Sequence, residues 1–498
     1  MRKNPTVTIY KHGNMLFLDP TNDRIFSLLK PVMSFTEPKK AFGAEARRLK
    51  QQGRATFEQV QHTLFELDHK NRIATSFGFW KLIRDKLREA GYPVRFKDLA
   101  PPDPRKFEPY WENIKQYQLR DNQPEFLRQI LTNRCGRFDC PPGFGKSFMI
   151  GMVAALLPKA TIDVVTRRVS VLRDRIYPEL VQMVGDVGIV GGGKNVRNKR
   201  VMCYTVGSMS HSPATADILI GDEVHELSAD VAAAELVRWQ NSRNYGMSAS
   251  HDMRWDGKDL RMHGVFGPVV FRVDYKQAQA ANMVVPIRVH WSPVVMDYDP
   301  CGSREDVERK RHGIWTNDYR NSVIADDARR YDDETQVLIT VETLEHAMNL
   351  KRLLPEYTLV YMENGLKLSA RNQYAKEGFC ARDEPLMDLE RRQRLTKEFE
   401  TGKLKKVICT TVWNVGVSFN KLAVLIRADG GGSAINDIQI PGRVSRIANG
   451  KEHGLVHDYL DQFNPGYRKR AAGRMKTYRE NHWEQVFPRQ STMQEFLG

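Results

Sequence analysis

Short apolar runs recur between about residue 113 and residue 290, at Ile162 to Thr166, Val201 to Thr205, Ile218 to Gly221 and Tyr245 to Ser248, with stretches of helical period between them. Runs this short, spaced by helices, predict parallel strands buried on both faces. Each run ends where a chemically suggestive residue begins, and open parallel sheets hold ligands beyond the carboxyl ends of their strands. The alternation resumes at Gln336 to Thr340, Thr358 to Tyr361, Val407 to Thr410, Ala423 to Ile426 and Gly454 to His457. The expected fold class is therefore α/β, with two tandem parallel sheets of one kind flanked by helices.

Three segments in fixed order carry chemistry. In Cys140-Pro-Pro-Gly-Phe-Gly-Lys-Ser147, Gly143 and Gly145, with Pro142 and Phe144 before and between them, permit a tight turn whose N–H groups point inward. Lys146 can then reach β- and γ-phosphates, and the Ser147 hydroxyl can ligate magnesium. The strict pattern has Gly or Ala where Cys140 stands, and the small thiol is expected to point into the sheet. Asp222 comes directly after the run Ile218 to Gly221, which puts its carboxylate at a strand end where it can hold Mg²⁺. Glu223 is then placed to orient and deprotonate an attacking water. His225 is expected to link this site to neighbouring polar groups. In Gln439-Ile-Pro-Gly-Arg-Val-Ser-Arg446, Arg443 and Arg446 lie three residues apart and suit the charge that develops on a γ-phosphate, with Gln439 beside them. Together these imply ATP and Mg²⁺ as cofactors. Because the arginines come from the second sheet, they complete the site only when the two domains close, which would convert nucleotide state into interdomain distance.

A chain of 498 residues is too long for one core, and 76 Lys+Arg against 60 Asp+Glu, a net of +16, favour a polyanionic partner. Six scattered cysteines show neither a CxxC pair nor zinc spacing, and read as reduced residues of a cytoplasmic protein. The longest apolar stretch, Met149 to Leu157, falls far short of a bilayer span. Residues 1–112 hold 21 Lys and Arg against 13 Asp and Glu, half the excess charge in under a quarter of the chain. This segment is expected to be a small α+β accessory domain that binds DNA. It opens on a hairpin pattern, Val7 to Tyr10 and Met15 to Leu18, and closes on an amphipathic helix near Phe79 to Ala90 stopped by Gly91 and Pro93. Lys39, Lys40, Arg47, Arg48, Lys50 and Arg54 between them could grip phosphates. The Pro-rich Ala100-Pro-Pro-Asp-Pro104 then separates it from the first α/β domain. The expected division is an accessory domain at 1–112, a first α/β domain at 113–291, a hinge at 292–335 and a second α/β domain with a C-terminal helix at 336–498. Residues 366–387 read as an insertion without assigned role.

The three segments together resemble a superfamily 2 helicase of the DExH kind, over residues 117 to 465. Arg120 and Gln123 resemble the adenine-recognition element of that family. Ser248-Ala249-Ser250 is similar to its Ser-Ala-Thr motif, which couples hydrolysis to strand separation. Thr410-Thr411 with Gly416-Val417-Ser418 resembles its fifth motif, which touches both nucleic acid and nucleotide. Val187 to Lys194, Val265 to Val270 and Asn282 to Pro286 look most like the branch of the phage UvsW helicase, the XPB repair helicase and restriction-enzyme motors. The resemblance implies two RecA-like domains, ATP-driven movement on DNA and, for UvsW-like members, remodelling of branched DNA in repair, recombination or replication restart. It also suggests a phosphate track along Arg167, Arg168, Gly192, Lys194 and Thr205 in the first domain, with Thr343 and Thr410 in the second. Backbone amides, hydroxyls and basic groups hold phosphates without reading sequence. The chain is expected to act as a monomer in a bacterial or phage-infected cell, with replication and recombination proteins as further partners. A restriction-complex motor subunit, an RNA helicase and a scaffold with a dead ATPase stand as alternatives.

Overall fold

The computed structural model describes residues 4–40, 48, 52, 57–248, 257–304, 306–413, 417 and 419–488. Packing divides the chain into two units, 1–140 with 145–273, and 141–144 with 274–498.

Among the described residues the first unit contains three sheets. In its N-terminal part, strands β1 (Val7–His12), β2 (Met15–Asp19), β5 (Phe65–Leu67), β6 (Ile73–Ser76) and β7 (Val94–Asp98) form a sheet ordered β5-β6-β2-β1-β7, while β3 (Ser34–Lys40) and β4 (Phe57–Thr63) pair as a separate ribbon. Gly13 takes φ +59 in the β1–β2 turn, where an L side chain would be strained. Val7, Ile9, Leu16 and Leu18 face Ile25, Leu29, Ile83 and Leu87 of two helices, Asp23–Leu29 and Trp80–Glu89. Asn22 caps the first, accepting from the Ile25 N–H at 3.0 Å.

Residues 1–112 pack in one unit with the larger sheet. The Asn14 amide donates to the Trp239 and Ser242 carbonyls at 2.7 and 3.0 Å, and Phe79 stacks on His263 at 5.3 Å. A Cβ on Gly78 would come within 2.0 Å of the His263 carbonyl, so this approach requires glycine.

The larger sheet of the unit comprises β8 (Cys135–Asp139), β9 (Ile162–Thr166), β10 (Val187–Gly191), β11 (Lys194–Val196), β12 (Val201–Thr205), β13 (Ile218–Asp222), β14 (Arg243–Ser248) and β15 (Val269–Arg272), ordered β11-β10-β12-β9-β13-β14-β8-β15. Every pairing is parallel except β10 with β11. The register aligns Thr205 with Thr166, Asp222 with Met247 and Ser248 with Asp139, so the carboxyl ends of these strands form one edge. Behind it runs the helix Lys146–Leu156, buried along nearly its whole length.

The second unit holds β16 (Ile287–Val294), β17 (Val337–Thr340), β18 (Thr358–Val360), β19 (Lys406–Cys409), β20 (Val424–Arg427), β21 (Gly454–Asp461) and β22 (Glu484–Val486), all parallel and ordered β18-β19-β17-β20-β21-β16-β22. Strand β16 pairs with β21 over eight residues from Ile287 to Val294. This sheet thus draws on residues that the sequence divides between the first α/β domain and the hinge. Residues 366–387 include the helix Leu368–Lys376. A buried ionic network ties the C-terminal helix Pro465–Glu480 to β20 and β21. Arg474 donates to Asp458 at 3.0 Å and to the Gly431 carbonyl at 2.7 Å, and Arg427 pairs with Asp437 at 2.6 Å and with the Tyr478 hydroxyl at 2.9 Å.

Candidate functional site

The glycine-rich loop leaves β8 at Cys140, whose thiol is fully buried and pushed well above its ordinary pKa by that burial. Gly143 and Gly145 adopt φ +91 and +90, the left-handed conformation that a non-glycine residue rarely takes. Pro142 is half-buried and Phe144 buried. No side chain caps the helix that begins at Lys146, whose N-cap residue is Gly145. A helix N-terminus left without a side-chain cap is a ready site for an anion. Ser147 is buried in its first turn.

Strand β13 delivers Asp222 to the same edge. Burial pushes its carboxyl up, to about 6, and the neighbouring Glu223 charge adds to this against Lys146. Glu223 sits at φ +48 and ψ +56, a left-handed conformation that costs a non-glycine residue about 1–2 kcal/mol. That backbone kink turns its carboxylate toward the loop, where Oε1 accepts from Lys146 Nζ at 2.6 Å. Burial alone would raise the Glu223 carboxyl, yet Lys146, His225 and Arg175 outweigh it and hold it at about 2. Lys146 itself is raised, because Glu223 and Asp222 more than offset its own burial.

His225 Nδ1 lies 2.7 Å from the Ser248 hydroxyl at the end of β14 and 3.4 Å from Glu223 Oε2. Both contacts meet the same ring nitrogen, so the carboxylate, imidazole and hydroxyl form one cluster. Gln123 is buried at the start of its helix and accepts from the Arg120 N–H at 2.9 Å, and a Cβ on Gly145 would come 3.4 Å from its Nε2. These contacts gather Gln123, Gly145, Lys146, Asp222, Glu223, His225 and Ser248 within the first unit. Ser250 and Gly416 lie outside the described residues, as do Arg47, Lys50 and Arg54.

The residues of the expected phosphate track differ in how committed they already are. Arg167 is exposed, whereas Arg168 forms a two-pronged pair with Glu226, Nη2 at 2.7 Å and Nε at 3.0 Å. Gly192 takes φ +60, and exposed Lys194 lies 5.1 Å from the Tyr177 ring. The Thr205 hydroxyl is held 2.9 Å from Ser208 in a capping box, and Thr343 caps the helix Leu344–Leu353. Thr410 is buried just past β19. In the second unit Gln439 ends the helix Ala434–Gln439, and Arg443 lies buried in the turn Pro441–Ser445 with Nη1 3.3 Å from the Val417 carbonyl. Arg446 is half-buried at the end of that turn. Arg175 escaped the sequence reading. It sits in the helical stretch after β9, where its charge had no signal to set it apart from an ordinary solvated face.

A helicase conserved C-terminal domain model matches residues 323–448. A protein of the Sulfolobus islandicus filamentous virus named as helicase 22 is 24% identical over 259 residues, covering 49% of this chain and 42% of its own length. A Haloarcula marismortui protein named as the DNA 3'-5' helicase Rad25 is 23% identical over 386 residues, covering 74% of this chain and 56% of its own length. The chain therefore spans about half the length of these two relatives. Saccharomyces cerevisiae Dbp5, solved with RNA and ADP BeF3, matches with a TM-score of 0.52 at 12% identity, over 76% of this chain and 92% of that one. That likeness shows the fold, two tandem RecA-like domains.

Proposed function

We propose that the chain is a superfamily 2 helicase of the UvsW-like and XPB-like branch, an ATP-dependent helicase or translocase that remodels branched or duplex DNA. The observation that carries the proposal is the buried Lys146–Glu223 pair, 2.6 Å long, beside a helix start that no side chain caps.

The donor set suits a magnesium nucleotide. Gly143 and Gly145 offer backbone N–H groups to phosphates, Lys146 a point charge, and Ser147 with Asp222 the hard oxygen ligands that Mg²⁺ prefers. When bound, ATP·Mg²⁺ supplies a phosphoryl group whose transfer to water releases free energy. Arg120 and Gln123 are assigned to the adenine. Glu223, held ionised by Lys146, orients the attacking water and accepts its proton. Arg443 and Arg446 are assigned to the charge that develops on the transferred group, with Gln439 ordering them. His225 transmits the state of Glu223 to Ser248, and so to the segment that leaves β14.

DNA is favoured as substrate by the net charge of +16 and by the name of the Rad25 relative. Hydroxyls, amides and lysines along the strand ends hold phosphates without reading bases, so binding is sequence-independent. Branched structures of repair, recombination and replication restart are the proposed targets. Steady-state ATPase measured with single-stranded, duplex and forked DNA and with RNA tests this reading. Forked or duplex DNA should stimulate most. Stimulation by RNA alone, or by no polynucleotide, rejects it.

A further inference from the structure

One face of the N-terminal sheet has no part in the site above. Strand alternation sends Val7, Ile9, Leu16 and Leu18 into the core, and therefore turns Tyr10 of β1 and Phe17 of β2 to the opposite side. The register sets Tyr10 directly across from Phe17 in one direction and from Lys97 of β7 in the other, with Arg95 one step along the same strand face. Tyr10 and Phe17 are half-buried, while Lys97 and Arg95 are exposed. Arg72 lies over the Phe17 ring, its guanidinium 5.1 Å from the ring centroid and clamped by Asp68 at 2.9 and 2.7 Å.

Directly opposed residues on neighbouring strands have Cβ atoms about 4.5–5.5 Å apart, so Tyr10 and Phe17 are neighbours on this face, with the Arg72 guanidinium over Phe17. Cations edge it on the β7 side, within a segment whose own charge is +8 by its 21 basic and 13 acidic residues. Aromatic rings left half-open at the middle of a sheet gain little for folding, whereas unpaired bases stack on such rings with little regard to sequence. A duplex has its bases already stacked on one another and can offer this face only its backbone. The platform also belongs to the motor, because the β1–β2 turn is held to Trp239 and Ser242 by Asn14 within one unit.

We propose that the Tyr10–Phe17–Arg72 face, edged by Lys97 and Arg95, stacks the unpaired bases of a single-stranded DNA segment. This rests on the reading of the chain as a DNA motor, and it adds a strand-holding site outside the two RecA-like domains. The face takes bases of any identity, and its cations hold the accompanying phosphates. Its position in the same unit as the nucleotide-binding Lys146 lets it keep one strand of a fork in place while the motor acts on the other.

The test compares fluorescence anisotropy of an oligo-dT of about 16 nucleotides with that of a duplex of the same length, using the full chain. Tyr10→Ala and Phe17→Ala should each weaken oligo-dT binding by about 5- to 100-fold and leave duplex binding within about twofold. Tyr10→Phe should retain oligo-dT affinity, since it keeps the ring. Lys97→Gln should lower the salt dependence of oligo-dT binding by about one released counterion, and it leaves the rings untouched should an alanine variant fold poorly. ATPase without DNA should be unchanged in all four. Wild-type affinity in the Tyr10/Phe17 double alanine variant, or an equal loss on duplex and oligo-dT, overturns the platform. Absence of DNA-stimulated ATPase in the wild type would instead overturn the motor reading, while the anisotropy comparison still decides the platform.

Discussion

Replacing Glu223 by Gln separates the catalytic and structural parts of its side chain. The carboxylate accepts from Lys146 at 2.6 Å, with side-chain exposures of 15% and 10%, so this is a shielded pair. Removing one partner of a buried pair costs about 3–5 kcal/mol when the other charge is stranded. Here the Gln amide oxygen can still accept from Lys146, and Asp222 remains as a countercharge. The expected destabilisation is therefore about 1–3 kcal/mol, the range for a hydrogen bond to a charged group. The backbone strain at φ +48 is the same in both proteins and cancels. Loss of a general base lowers turnover by about 10²–10⁴-fold, or about 3–5 kcal/mol of barrier. Catalysis should thus fall further than stability.

Two assays separate these quantities. Phosphate release at saturating ATP and forked DNA gives kcat, and displacement of a fluorescent ATP analogue gives nucleotide affinity. Glu223→Gln should lose at least about a hundredfold in kcat while its nucleotide affinity stays within a few-fold of wild type. A kcat within about threefold of wild type would refute the role of Glu223. Equal losses in kcat and affinity would show that the carboxylate chiefly shapes the loop, and would refute the argument from the Lys146 pair.

Other perturbations test the same geometry. His225→Ala, which removes the imidazole between Glu223 and Ser248, should leave DNA binding intact but reduce unwinding more than ATPase; parallel losses in both rates would contradict a coupling role. Asp163, on β9, is pushed by burial to about 6, against hydrogen bonds from Trp239 and Ser212. Its folded pKa exceeds its unfolded one, so its contribution is most favourable below about pH 4 and is lost as pH rises through about 6. Asp163→Asn should therefore stabilise the protein by on the order of 2 kcal/mol at about pH 8 and by little at about pH 4, read by urea denaturation, and a larger gain at the lower pH would reverse the sign of the argument. Arg474→Met strands the buried Asp458 and should destabilise the second unit by about 3–5 kcal/mol, seen as a lowered Tm; an unchanged melting curve would count against the buried network. Asn14→Ala removes two hydrogen bonds between the N-terminal sheet and the β13–β14 connection and should raise protease sensitivity near residues 100–104 without altering ATPase in the absence of DNA.

The features legible in the residues alone and those hidden from them divide along a physical line. Strands buried on both faces must be apolar throughout, so β9, β12, β13 and β14 stand out in the chain, and Asp222 and Glu223 are found with them because ligands gather where such strands end. Strand β8, which feeds the glycine-rich loop, stayed hidden because Arg137 interrupts its apolar run, a charge made tolerable by its hydrogen bond to the Gly267 carbonyl at 2.9 Å. Strand β16 stayed hidden for a related reason, since Arg288, His290 and Ser292 alternate with its buried residues and gave no continuous run. The left-handed backbone at Glu223 had no local signature either, because nothing in Asp-Glu-Val-His distinguishes a strained carboxylate from an ordinary turn. Its existence depends on Lys146, seventy-seven positions away in the chain, to hold the charge that rewards the strain. The hydroxyls of Thr205 and Thr343 show the converse case. Their residue type suits phosphate contact, yet both already serve local backbone capping, a competition that Ser and Thr enter wherever a helix begins. Residue type and position in the chain thus locate the edge of the sheet where chemistry occurs. Which side chains on that edge are poised, and which are already engaged, is decided by partners that only the folded chain brings near.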